Sequence, residues 1–427
     1  MTIAVYEYLA LGLLILAYIH FRKYNDEFIF LPVVFFWSTG VSRYNAVLEN
    51  KADWVKVVYT RNIFTPMNNE KAMIVLGYFA LGTLMLILAY RFFNRRIDYP
   101  YIRVDNPVVF NNFIKTKKGF ILGLFVFFNI VFTIFKGMIG GTLALGQSYF
   151  LLFPMALGGL ILLAFLVYRS YTWKQDPAMK GFYLVLMVYA IVMSYNPSQR
   201  FQFLSWMVAI GIVVTQNLTP AKKTWWYMLG GALVLFVFSL AGVARKHNVS
   251  EMTFEQMWDA AIARNEKRED QNMLDGFMMV LDVYPKHLNY HYGMEHLEIL
   301  MRPIPRQLWP GKPVGGYANK LGLNKVEKGT VGISQTIYGT FYGEGGVLGI
   351  VVLSIFYAWL LVKLSRYTWR YNSNLHWLLK GIILASFVPI LRGGDLPGVV
   401  AFIGMSYWPV FLILYQYNKY LKQINGK

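Results

Sequence analysis

The 427-residue chain has no cysteine, which excludes a disulfide scaffold, thiolate metal ligands and a cysteine nucleophile. Charge is scarce as well. Asp, Glu, Lys and Arg make up 15% of the residues, against about 25% in an ordinary soluble domain. Acids are the scarcer sign, 22 against 41 Lys and Arg, leaving a net charge of +19. No internal repeat and no low-complexity stretch is visible, which argues against solenoids and disordered tails. The first apolar run lacks a small-residue cleavage site after it and reads as a retained helix, not a signal peptide.

What is present is apolar. Hydrophobic residues reach 56% and aromatic residues 17%. They fall in blocks near the ~20 residues that an α-helix needs to cross ~30 Å of hydrocarbon. Such runs lie near 3–21, 28–42, 72–93, 119–135, 149–168, 180–195, 199–215, 226–244, 335–362, 376–391 and 398–418. The expected fold is an all-α polytopic membrane protein with about eleven transmembrane helices, ten to twelve allowing for boundary error. The organisation expected is helices 1–8 over 1–244, a long loop over 245–334, and helices 9–11 over 335–427.

The positive excess has two readings, nucleic acid and membrane topology, and the placement of charge decides between them. Alternate connections hold 21 Lys and Arg in one set and 8 in the other, the long loop aside. Basic residues accumulate in cytoplasmic loops, so the first set is expected inside, with the amino terminus outside and the carboxyl terminus inside. No nucleic-acid partner is expected. The loop itself carries 12 basic and 11 acidic residues, half of all the acids. Long loops translocate largely regardless of charge, and connections of this length are usually functional. The chemistry is expected there, on the outer face.

Thr253 and Gln256 have capping-box spacing, and Phe254, Met257, Trp258, Ala261 and Ile262 recur at helical spacing after them. A second stripe, Met273, Leu274, Phe277, Met278 and Leu281, ends before Pro285. These amphipathic segments suit either a membrane–water interface or packing on the helical bundle. His287, His291 and Glu295 follow at intervals of four and would share one face if the segment is helical. The spacing is not that of a histidine–glutamate zinc motif and no third ligand is evident, so no metal is expected. A histidine or carboxylate acting as general base fits better, with His291, Glu295 and His296 as the catalytic candidates and Glu298 beside them.

Four prolines between Arg302 and Pro313 stiffen a segment that carries Arg302, Arg306, Trp309 and Lys312. Guanidinium groups grip phosphate oxygens in a two-point fork, and lysine adds a point charge. Arg200, Arg245 and Arg392 also fall on the expected outer side, against the charge bias. A cationic cluster there suits a lipid-linked phosphate or pyrophosphate, while snorkelling at helix ends would explain any one of them alone. Gly343, Gly345, Gly346 and Gly349 are read as close packing, and Glu344 among them as an acid near the outer end of a span.

The segment Ile304–Pro313, the Gln335–Gly349 stretch and the Leu391–Asp395 turn resemble the Wzy-type oligosaccharide repeat-unit polymerases, nearest the O-antigen and enterobacterial common antigen branch. The turn ending at Arg200 and the basic end of the preceding helix at Arg245 fit the same pattern. The likeness covers roughly residues 195–400. It implies an inverting glycosyltransferase of GT-C type without cofactor, nucleotide sugar or metal. The enzyme would act at the outer, periplasmic face of a bacterial plasma membrane. Its partners would be a polyprenyl-pyrophosphate-linked oligosaccharide, as donor and as acceptor, the lipid bilayer and a chain-length regulator protein. Arg200, Arg245, Arg302, Arg306, Lys312 and Arg392 would hold pyrophosphate, and Trp309 would stack on sugar. A ligase with the same donor, and a flippase or transporter of lipid-linked sugars, remain alternatives.

Overall fold

The computed structural model describes residues 2–55, 63–96, 106–138, 156–194, 200–246, 251–266, 271–302, 304, 308–313, 315–321, 334–371 and 374–425. Among these every regular element is a helix. In chain order they are α1 (Ile3–Tyr24), α2 (Phe30–Phe35), a wider π turn (Phe36–Val41) running into α3 (Ser42–Leu48), α4 (Asn69–Arg96), α5 (Pro107–Thr116), α6 (Lys118–Met138), α7 (Leu157–Ser170), α8 (Pro177–Ser194) and α9 (Arg200–Thr215). Then come α10 (Pro220–Lys246), α11 (Phe254–Glu266), α12 (Met273–Val283), α13 (Met294–Met301), α14 (Tyr317–Lys320), α15 (Thr336–Thr368), α16 (Asn374–Arg392) and α17 (Leu396–Asn425).

The described part of each expected apolar run falls on helix, and residues 149–155 of the run near 149–168 lie outside the described residues. Five helices, α1, α4, α15, α16 and α17, are long and apolar enough to cross a membrane. Four runs fold as shorter apolar helices, Lys118–Val131, Leu157–Ser170, Pro177–Val192 and Trp206–Thr215. The run near 28–42 is not one plain α-helix, because the π turn interrupts it at Gly40. There a Cβ would press on Leu76 and Phe79 of α4, so glycine permits the close approach.

Local chemistry sets the ends. Asn25 takes the left-handed conformation that closes α1 and returns its N–H to Phe21 O at 2.7 Å. Asn106 caps α5 by accepting the Val109 N–H at 2.9 Å, with Pro107 opening the helix. Thr253 and Gln256 form the expected capping box of α11, reciprocal bonds of 2.9 and 3.3 Å.

The chain forms two compact units. The first comprises Met1–Asp98, Leu235–Lys363 and Phe387–Ala401, and the second Tyr99–Val234, Leu364–Ser386 and Phe402–Lys427. Within the second, Leu160, Ile161, Leu163, Trp206, Tyr407 and Tyr417 belong to one buried core. Gly159 there lies against Pro409 and the Ser406 carbonyl, as small residues do at close helix crossings.

Within the first unit, the two loop stripes meet different fates. Every residue of α12 except Leu281 is buried, and the helix packs on α4 and the π turn. Its two acids explain how a charged helix enters a core. Asp275 meets Arg43 through two bonds of 3.0 and 2.7 Å, and accepts the Val55 N–H at 2.9 Å. Asp282 accepts Lys71 at 2.5 Å and both the N–H and the hydroxyl of Thr65. The acids are seven residues apart, two turns along one face. On α11 the stripe stays open instead, with Phe254, Trp258 and Ile262 exposed and only Ala261 buried.

Candidate active site

The site lies in the first unit, where the long loop meets a break in α15. Gly345 and Gly346 leave helical geometry, Gly346 at φ 61° and ψ −145°, a region that side chains rarely allow. The Gly343 and Glu344 carbonyls accept from His291 N–H at 3.0 Å and Tyr292 N–H at 2.8 Å. An interrupted span is thereby completed by the loop, which satisfies backbone groups that would otherwise be orphaned.

The same break presents the Glu344 side chain to α13. Gly293, at φ 89°, turns the chain into that helix. The Glu344 carboxylate accepts the N–H of Gly293, the N–H of Glu295 at 3.1 Å and the His296 Nδ1–H at 3.0 Å. A buried acid from another helix thus caps α13, where backbone N–H groups favour negative charge. The Tyr357 hydroxyl donates to His296 Nε2 at 3.2 Å, which occupies the second ring nitrogen. His296 is therefore engaged at both ends.

Residues 284–293 are not helical, so His287, His291 and Glu295 do not lie along one helix. Gly293 in the left-handed conformation starts α13 only at Met294. His287 is exposed, whereas His291 turns inward and its Nδ1 lies 3.9 Å from Glu295 Oε2. The Lys320 ammonium, which has only donors, reaches His291 Nε2 at 3.2 Å, with the Tyr284 hydroxyl 3.3 Å from the same nitrogen. The proton therefore sits on Nδ1, facing Glu295. Burial first and the Lys320 charge second push the His291 pKa down to about 4, against the pull of Glu344. A neutral imidazole with so low a pKa is a weak base.

Glu295 is the opposite case. It is 3% exposed, and its Oε1 accepts the Leu396 N–H at 3.2 Å, at the N-terminus of α17. Burial is the largest cause and raises its pKa to about 8. The Leu396 N–H and Lys320 oppose the shift, while Glu344 and Asp395 add to it. Burial also pushes the nearby Tyr284 phenol up. Desolvation defeats the helix N-terminus because it removes all water from the charged form.

The other sequence candidates are placed as follows. Lys312 is buried, and its ammonium donates to the carbonyls of Arg302 at 2.6 Å and Ile304 at 2.7 Å, so it ties the proline segment together. Arg302 lies 3.6 Å from the Asp395 carboxylate. Trp309 is partly exposed and accepts the Lys312 N–H at 3.1 Å through its carbonyl. Arg392 is partly buried at the end of α16, before Gly393, which packs on the Thr336 backbone. Arg306 lies outside the described residues, as do the side chains of Arg200 and Arg245.

Three participants were not among the expected site residues, Lys320, Tyr284 and Tyr357, and Glu344 was expected only as a second choice of base. Glu344 had a visible mark, an acid enclosed by Gly343, Gly345 and Gly346 in an apolar run. Lys320 had none, because nothing in the chain pattern joins it to His291. No protein-family profile, curated protein or solved structure matches this chain.

Proposed function

We propose that this chain is a multi-pass membrane glycosyltransferase. It would pass a growing glycan from polyprenyl pyrophosphate to a lipid-linked repeat unit at the outer face of a bacterial plasma membrane. One observation carries the reading: the loop carboxylate of Glu295 is buried between the Leu396 N–H at 3.2 Å and the His291 ring at 3.9 Å, where burial raises its pKa to about 8. A group tuned to that range exchanges protons at working pH, which general-base catalysis requires.

In the proposed step the acceptor hydroxyl gives its proton to Glu295 while its oxygen bonds to the anomeric carbon of the donor. The bond from that carbon to the pyrophosphate oxygen breaks on the opposite side, so the configuration inverts. The electron pair leaves on the lipid pyrophosphate, and cations take up its charge. Arg306 is the first candidate for that role, with Arg200, Arg245 and Arg392 beside it on the sequence reading. His291 and His296 are positioning residues for Glu295 and α13, and Trp309 offers a face for sugar stacking. A GT-C-like arrangement of about eleven spans, with the loop outside, belongs to the same proposal.

Deleting the protein should leave lipid carriers bearing one repeat unit in place of long chains, and the purified protein should lengthen those units. Failure to lengthen them would end the polymerase reading. A flippase is the second reading, favoured by a separate polar cluster inside the first unit. There Tyr90 donates to Asp26 at 2.5 Å and His20 lies 3.5 Å from the same acid. Ionisable groups buried in spans often mark transport paths. Movement of the lipid-linked unit across vesicles, without lengthening, would select that reading.

A further inference from the structure

A groove of about 410 Å³ opens where the start of α4 meets the end of α12. Lys71 and Asp282, both nearly enclosed, form its floor. Asp282 is spent, since it accepts from Lys71 and twice from Thr65. Lys71 is not. An ammonium has three N–H bonds, and this one gives two, to Asp282 and to the Thr65 hydroxyl at 3.2 Å. Glu70 and Lys286 also line the groove, and both are exposed. Among the described residues neither side chain makes a hydrogen bond or an ion pair, so the two opposite charges border one space without closing on each other.

The groove also straddles the level at which a span enters lipid. α4 starts at Asn69, and its apolar run begins near residue 72. One turn in, Ile74 lines the groove and is 48% exposed. With it is Leu281, the one residue of α12 that is not buried. A lipid fits this gradient, its chains against the apolar side and its head group against the charges. The charges then select the head group. A phosphate suits Lys286 and the remaining Lys71 N–H, whereas Glu70 calls for a cation and repels a purely anionic head. We propose that the groove binds a zwitterionic phospholipid of the phosphoethanolamine type, with its phosphate on Lys286 and Lys71 and its ammonium on Glu70. This inference needs only a membrane-embedded chain and does not rest on the glycosyltransferase reading.

The probes are phosphatidylethanolamine and phosphatidylglycerol with identical acyl chains, which share the phosphate and differ in the ammonium. Each is titrated into delipidated full-length protein in detergent, and bound lipid is counted by native mass spectrometry. Phosphatidylethanolamine should bind on the order of tenfold more tightly, the worth of one charge-assisted hydrogen bond. Glu70→Gln should close that gap, and Lys286→Met should weaken both lipids by a similar factor. Both residues are exposed, so neither variant should disturb folding. Equal binding of the two lipids by the wild-type protein overturns the proposal. So does a preference that survives Glu70→Gln, or an affinity for both lipids that survives Lys286→Met. Glycerophosphoethanolamine and inorganic phosphate separate the sources of the phosphate, since neither carries acyl chains. Neither should displace phosphatidylethanolamine at equal concentration, and displacement by either would make the occupant a soluble phosphate compound and overturn the lipid.

Discussion

Arg43 and Asp275, 232 positions apart in the chain, form a two-point ion pair with both side chains buried. It joins α3 to α12, and Lys71 with Asp282 repeats the device two turns further along α12. The long loop is therefore built into the helical unit and does not hang from it. The partner that shows this is a basic residue near the end of the second apolar run, which the charge pattern counts only as a topology marker.

Removing one partner should be costly. Arg43→Ala or Asp275→Ala strands a buried charge, at about 3–5 kcal/mol. The double variant should recover part of that loss, because no lone charge remains. Thermal unfolding in detergent measures both, and a double variant as damaged as the sum of the singles would show that the pair contributes nothing as a pair.

The break in α15 should be intolerant of side chains. Gly346→Ala forces a side chain into φ 61°, ψ −145°, a strain on the order of 1–3 kcal/mol. It should also disturb the Glu344 contacts to α13. Gly12→Ala, in α1 with open space at the Cβ position, serves as the control and should leave stability unchanged or higher. Equal effects of the two substitutions would mean that the break is not needed.

Activity should rise with pH through about 8, the Glu295 value, because a base must be deprotonated. Stability should move the other way. The folded pKa is raised from 4.5, so the contribution of protonated Glu295 is complete below 4.5 and disappears as pH rises toward 8. Glu295→Gln should flatten that trend and slow transfer by ~10²–10⁴-fold. His291→Ala and His296→Ala should slow transfer less and leave an inflection in the pH–rate profile. A pH profile unchanged in Glu295→Gln would move the base elsewhere.

The loop is expected outside. A reporter active only in the cytoplasm should be silent when fused after Asn272 and active when fused after Lys223. The reverse pattern would remove the basis for an outer-face site.

The sequence by itself determined that the chain is helical, where its apolar runs lie and how α11 begins. These properties depend on residues within one or two turns of each other: hydropathy over a span, the Thr253–Gln256 cap, the stripe that became α12. It also located the loop segment in which Glu295 and His296 lie. Tertiary structure alone decided what each polar group does. His291 and Glu295 both looked like bases, yet burial drives one pKa down and the other up, since desolvation penalises a cation and an anion in opposite directions. Lys312 read as a phosphate ligand and turned inward to hold backbone carbonyls. Glu344, Lys320 and Asp395 reach the site from separate stretches of chain, and only folding brings them there. Burial and long-range partners are properties of the packed chain, and no local pattern of residues encodes them.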